Sequence, residues 1–210
     1  MSTIIESLKW RYATKIFDIN RKLTDNQVNT LKHSISLTAS SLGLQPYKII
    51  VVSDHKIKKS LFPHSYNQLQ ITTASHLFVF CAIEKIDDSY TQEFIKLMSK
   101  IQNKSMEDLH GYKSMINNFI NNSDDGAKLL WASKQTYIAI GNLLTTCALE
   151  EIDACPMEGF DAEKYSEILS LKEKGLKVLA LVATGFRSKD DKYGIMPKVR
   201  KVYSDLFVEM

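Results

Sequence analysis

The sequence predicts an α+β fold, one β-sheet with helices covering both of its faces. Two observations carry that expectation. Three short runs, Tyr47–Val52, His76–Ile83 and Lys177–Thr184 (KVLALVAT), are apolar almost throughout, as strands buried on both sides are. Most of the remaining chain places apolar residues at helical spacing. The 210 residues suit one domain spanning 1–210, because domains commonly take ~100–200 residues and one of this size buries a core without disulfides or metals.

The elements follow in order. After an N-terminal helix, Thr24-Asp25-Asn26-Gln27 reads as a capping box, and Val28, Leu31 and Ile35 form one apolar stripe, so 25–37 is a helix. Ser40 to Pro46 has turn chemistry and leads into the first strand. Asp54 caps a short helix to about Leu61. The stretches 88–102 and 105–121 are helical but polar, a surface excursion. From Asp124 to Glu151 apolar residues wrap most of the circumference, which places that helix in a core or a subunit interface. Gly141 inside it costs ~1 kcal/mol against alanine, and close helix–helix approach is the expected return. Asp161 starts a helix ending at Gly175. Pro156 to Phe160 is a loop stiffened by proline, and the tail from Met196 is basic, then extended.

Composition removes several classes. A hydrophobic share of 44% and a charged share of 24% exclude disorder and disulfide scaffolds. A net charge of +3 is too slight for a nucleic-acid binder, and Lys198-Val199-Arg200-Lys201 has no aromatic-basic face beside it. Cys81, Cys147 and Cys155 form no CxxC pair, which suits a reducing, cytoplasmic setting. The start, MSTIIESLKWRY, lacks a signal-peptide core. The most apolar stretch, Tyr137–Leu149, is thirteen residues long, short of the ~20 needed to span a bilayer. No GxGxxG, P-loop, HExxH or GxSxG occurs, and the five histidines have no metal spacing.

What remains is five unusual segments far apart in the chain: Arg11-Tyr12-Ala13-Thr14-Lys15 with Phe17-Asp18, Ser40 to Tyr47, Tyr66-Asn67-Gln68-Leu69-Gln70, Pro156 to Phe160, and Pro197-Lys198-Val199-Arg200. Alone, each reads as a solvated face or a turn. Together they describe a site for a flat anionic cofactor. Three of the four prolines stiffen them, Gly159 admits a close approach to main chain, and Lys198 and Arg200 share one side of an extended segment.

With KQTYIAIGN (Lys134 to Asn142) and LKEKG added, the blocks RYATK-FD, SSxGLQPY, YNQxQI-TASH, PMEGFD and PKxR resemble the flavin-dependent nitroreductase family. The likeness is greatest to its oxygen-insensitive NAD(P)H nitroreductase / dihydropteridine reductase branch and runs from about residue 5 to the C-terminus. The resemblance implies a nitroreductase fold with a central mixed β-sheet and a C-terminal arm, 196–210, exchanged between subunits of a homodimer. It implies non-covalent, tightly bound FMN, with NADH or NADPH as co-substrate and nitroaromatics or quinones reduced by two-electron hydride transfer in a ping-pong cycle. Arg11, Lys198 and Arg200 would hold the phosphate, and Lys15 would sit at the N1/O2 edge of the ring. Tyr12, Ala13, Ser40, Ser41, Gly43, Asn67, Gln70, Pro156 and Met157 complete the cofactor set. The backbone of Glu158 and Gly159 would meet flavin N5, so no side chain is needed as acid or base and no metal is implied. Residues 88–121 would form a lid, with Tyr66 and Phe119 lining a substrate slot. The sequence departs from the family at Gln70, where many relatives carry lysine, at Gly43, where close relatives carry asparagine, and at Ala13, which replaces serine. The same chemistry on a dihydropteridine or an unsaturated carbonyl, or an FMN-binding module without turnover, are the alternatives.

Overall fold

The computed structural model describes residues 3–210, so the first two residues of the expected domain lie outside it. Its helices are α1 (Thr3–Trp10), α2 (Asp25–Ser36), α3 (His55–Leu61), α4 (Gln70–Thr73), α5 (Asp88–Gln102), α6 (His110–Asn121), α7 (Asp125–Leu149), α8 (Ala162–Ile168) and α9 (Tyr203–Leu206). Its strands are β1 (Tyr47–Val52), β2 (His76–Ile83), β3 (Asp153–Met157) and β4 (Leu176–Gly185), in the order β1-β2-β4-β3. All three pairings are antiparallel. The only parallel pairing among the described residues is an isolated bridge between Ala13 and Ala154.

Alternation along the strands builds two cores. Leu77, Val79, Cys81, Leu181 and Ala183 face one way, against Leu61 of α3, Ile71 of α4 and Tyr165 of α8. Phe78, Phe80, Ala180 and Val182 face the other, against Val28, Leu31 and Ile35 of α2 and Ala139, Ile140 and Leu143 of α7. Both faces of the sheet are therefore dry, which is why its strands read as unbroken apolar runs. A third cluster, with Ile95, Ile116, Ile120 and Ala132, ties α5 and α6 to α7.

Local chemistry sets the helix ends. Thr24 and Gln27 form the expected capping box, Asp54 caps α3, and Asp124 caps α7. Three expectations need correction. Pro156 and Met157 belong to β3, not to a loop; proline is tolerated because β3 is the last strand of the sheet, pairing with β4 and met on its other side only by the single bridge from Ala13 to Ala154, away from Pro156. The helix from Asp161 stops at Ile168, Ser170 turns left-handed at φ 50°, and a separate 3₁₀ turn runs from Lys172 to Lys174 before Gly175. The tail is not wholly extended, since it contains the single turn α9.

Gly141 faces solvent, and a Cβ built on it meets nothing within 4 Å. The close approach expected of it does not occur within the chain. Leu130, Tyr137, Ile138 and Leu149 of α7 are exposed, as are Val199, Tyr203, Phe207 and Val208 of the tail. Among the described residues no helix is long and apolar enough to cross a membrane.

Candidate active site

The segment after α1 threads between two parts of the sheet. Ala13 bridges Ala154 of β3, and on the other side the Asp18 amide donates to Phe186 O at 2.8 Å and the Ser188 amide to Ile16 O at 2.9 Å. This brings Arg11 beside the C-terminal segment. Burial and the nearby Arg200 guanidinium hold Arg11 below its ordinary pKa. Lys198 is lowered too, by desolvation first and then by Arg11, Arg200 and Arg187. Four cations thus crowd one region. Only Arg187 has a carboxylate partner there: its Nε donates to Asp153 Oδ1 at 2.7 Å, beneath the rings of Trp10 and Tyr12 at 4.1 and 4.7 Å. Lys198 Nζ donates to the Lys9 carbonyl and Arg200 to its neighbour Val199 O, so neither charge is neutralised. Cations that repel one another and lack a carboxylate partner among the described residues are suited to an anion.

A second group gathers at β3. Lys15 Nζ and Gln70 Nε2 each lie 3.8 Å from the Cys155 sulfur. Gln70 is 4% exposed, yet its partners are that weak acceptor and Gln68 Oε1 at 3.5 Å. Both side chains therefore keep donor capacity for something stronger. Burial pushes the Cys155 thiol up, against the opposing pull of Lys15.

The loop after β3 is the third part. Gln68 Nε2 donates to Gly159 O at 2.8 Å, and the Asp161 amide donates to His64 O at 2.8 Å. These bonds hold residues 158–161 on the turn 63–68, where Tyr66 and Asn67 are left-handed at φ 52° and 54°. A Cβ on Gly159 would come within 3.3 Å of Gln68 Nε2 and 3.7 Å of the Tyr66 ring, so glycine keeps main chain open here. Among the described residues nothing accepts the Gly159 amide. Tyr137 OH donates to Glu158 Oε1 at 2.7 Å, and burial followed by that carboxylate raises the phenol to about 12. Met157 turns into the core, leaving only its backbone to face a ligand.

Four expected contributors, Ser40, Ser41, Gly43 and Phe119, lie elsewhere. Ser40 Oγ accepts the Gln45 amide at 2.9 Å, the Ser41 amide donates to Gln135 Oε1 at 2.7 Å, and Gly43, at φ 68°, sits under Phe94 of α5. Tyr90 and Tyr112 of α5 and α6 donate to the carbonyls of Leu44 and Leu42. Gln135 and Tyr137 are two residues apart on α7, so they project about 200° from each other. The helix therefore separates Ser40–Gly43 from Glu158 and Gly159 of the same chain. Phe119 packs edge-to-face on Trp131 at 5.3 Å, on the α5–α6 side.

Sequence reasoning singled out the segment of Gln68 without assigning it a role, and missed the other residues that hold these pieces: Tyr137, Asp153, Cys155, Arg187 and Asp191. For Asp153 a signal was present, a carboxylate between Ile152 and Ala154 in an otherwise apolar run.

With the geometry in place, comparison with known proteins is informative. The sequence model of the Nitroreductase family matches residues 8–186. A Staphylococcus haemolyticus protein named "Putative NAD(P)H nitroreductase" is 34% identical over 212 residues, covering 97% of this chain and 95% of its own length. Among solved structures, an Exiguobacterium sibiricum protein in complex with FMN superimposes with a TM-score of 0.84 at 16% identity, covering 100% of this chain and 98% of that one. An enone reductase of gut-bacterial fatty acid saturation superimposes at 0.79 with 18% identity, covering 97% and 94%. The fold is that of the nitroreductases. This chain belongs to the nitroreductase family, a family of oxidoreductases.

Proposed function

We propose that this protein is an FMN-dependent NAD(P)H oxidoreductase that reduces nitroaromatics and quinones in two-electron steps, working as a homodimer. The observation that carries the proposal is the set of uncompensated cations, Arg11, Lys198 and Arg200. The residues present fit the cofactor. Two arginines and a lysine suit a phosphate monoester, because guanidinium forks bind two oxygens at once. Lys15 and Gln70 offer donors to a carbonyl edge, and Gly159 offers a main-chain amide that no described residue accepts. Bound FMN would supply the hydride chemistry between the nicotinamide and the acceptor. The chain's own tasks are then to fix the cofactor, aim the Gly159 amide, and place Lys15 where a positive charge favours a ring that gains electrons. On this reading no side chain is needed as a general acid or base, and a main-chain donor keeps its aim across pH.

The homodimer reading rests on separate observations. Ser40–Gly43 lies across α7 from Glu158, so a second copy is the direct way for both to meet one cofactor. Ala13 covers the β3 edge of the sheet, and β1 is left as the free edge. The tail, with Val199, Tyr203 and Val208 more than four-fifths exposed, is too apolar to stand in water. An arm docked on the partner's β1 edge would bury both.

Anaerobic mixing with NADH or NADPH, followed by a nitrofuran, a quinone and an unsaturated carbonyl, tests the activity. The proposal expects the visible flavin band to bleach with a nicotinamide and return with the first two acceptors, with parallel lines in double-reciprocal plots. A band indifferent to both nicotinamides contradicts it, and return only with the unsaturated carbonyl moves the acceptor class.

A further inference from the structure

Asp153 and Asp191 make none of the cofactor contacts proposed above, yet they are 3% and 6% exposed and bridge the same two segments. Asp191 Oδ2 accepts the backbone amides of Lys15 at 2.6 Å and Ile16 at 3.1 Å, while its Oδ1 accepts the Tyr193 amide at 3.1 Å. Asp153 Oδ1 accepts the Thr14 hydroxyl at 3.4 Å and Arg187 Nε at 2.7 Å, and its Oδ2 accepts the Arg187 amide at 2.7 Å. Residues 14–16 follow directly on Arg11. Residues 187–193 lead directly to Lys198 and Arg200. Two buried carboxylates therefore register the first cation-bearing segment on the last.

Something must do this work, because the cations oppose their own assembly. Arg11, Arg187, Lys198 and Arg200 repel one another, and Lys198 and Arg200 ride on coil. Bonds from amides to an ionised carboxylate are short and roughly twice as strong as neutral ones. The Asp191 carboxylate uses both oxygens at once, one toward each segment. Gly194, in the turn that Asp191 caps, packs so closely that an added Cβ would meet Tyr12 OH at 3.1 Å.

Resting on the FMN reading, we propose that Asp191 is a positioning residue that presets the spacing of Arg11 from the Lys198–Arg200 pair for a phosphate monoester, with Asp153 as a second anchor. The device acts mainly on the phosphate end of the ligand, because its bond to residue 15 is to the backbone amide, while Lys15 Nζ, the group that would face the ring, rests on Cys155. Asparagine cannot replace it, because an amide has one acceptor and one donor end. Either the Lys15 and Ile16 amides or the Tyr193 amide would then face a donor.

Titration of flavin-free protein with FMN and with riboflavin, which lacks the phosphate, isolates this role. Wild type is expected to prefer FMN on the order of 100-fold. Asp191→Asn is expected to cut that preference about tenfold while riboflavin affinity stays within about twofold. Asp153→Asn is expected to act in the same direction. Asp191→Glu keeps the charge and every acceptor but is one methylene longer, so it guards against simple loss of fold and is expected to lower the preference too. Equal losses for both ligands would mark Asp191 as merely structural and overturn the proposal, as would an unchanged preference. Wild-type protein that binds neither flavin would instead overturn the FMN reading, and this proposal with it.

Discussion

Gln70 and Lys15 share one sulfur, and that arrangement decides what a charge change there would do. Gln70 is buried at the start of α4, with Cys155 and Gln68 as its neighbours. Gln70→Lys would place a second ammonium beside Lys15 with no carboxylate to receive it. In flavin-free protein this costs about 1–3 kcal/mol, from burying an unpaired charge next to a like one. With FMN bound, the same charge favours the reduced ring. A redox titration should find the lysine variant's potential higher by about 30 mV, equivalent to ~1.4 kcal/mol in a two-electron couple. An unchanged or lower potential would remove Gln70 from the ring's edge. The sequence alone identified Gln70 as a departure; it could not show that Cys155 is what both donors lean on, because that contact joins α4 to β3, 85 residues apart in the chain.

Whole elements were legible where one local rule dominated. The capping box of α2, the apolar runs of β1, β2 and β4, and the all-round apolar surface of α7 were each written in consecutive residues. β3 was not, because Pro156 and Gly159 speak for a loop, and only its position at the sheet edge permits a strand. The Asp191 bridge was invisible for a related reason, since a charged residue beside a turn is ordinarily solvated, whereas Asp153 left a trace as a carboxylate at the start of an apolar strand. The elements also carry a pH dependence. Burial raises the thiols of Cys81 on β2, to about 12, and of Cys147 on α7 and Cys155 on β3. Above the ordinary thiol value of 9.0 the unfolded chain sheds protons that the folded chain keeps, so stability falls as pH rises. Lys58, buried on α3 with Nζ donating to Ala74 O and Ser75 O, works the other way. Desolvation lowers it from 10.5 to about 8, so it adds stability as pH climbs through that window. The thiols outweigh the one lysine near pH 10, and the phenols of Tyr12, Tyr90, Tyr137 and Tyr165, each raised to about 12 chiefly by burial, add to them, so stability falls by more than ~3 kcal/mol per pH unit there. Denaturant unfolding at pH 7.5, 9 and 10 checks this, and Cys147→Ala should flatten the slope by roughly one equivalent. A flat profile in wild type would contradict it.

At the scale of the molecule, the account joins three parts that a single chain only partly assembles. One end holds Arg11, Lys198 and Arg200, the middle holds Lys15, Gln70 and the open amide of Gly159, and Ser40–Gly43 stands across α7. The exposed tail and the bare β1 edge belong to the same picture, since one offers a strand and the other lacks a neighbour. The most direct measurement is the flavin content and mass in solution of purified protein. The account predicts a yellow dimer that releases one FMN per chain on denaturation, and an Arg11→Ala, Arg200→Ala double variant that comes free of flavin while still folded. A colourless monomer that takes up no added FMN would contradict it.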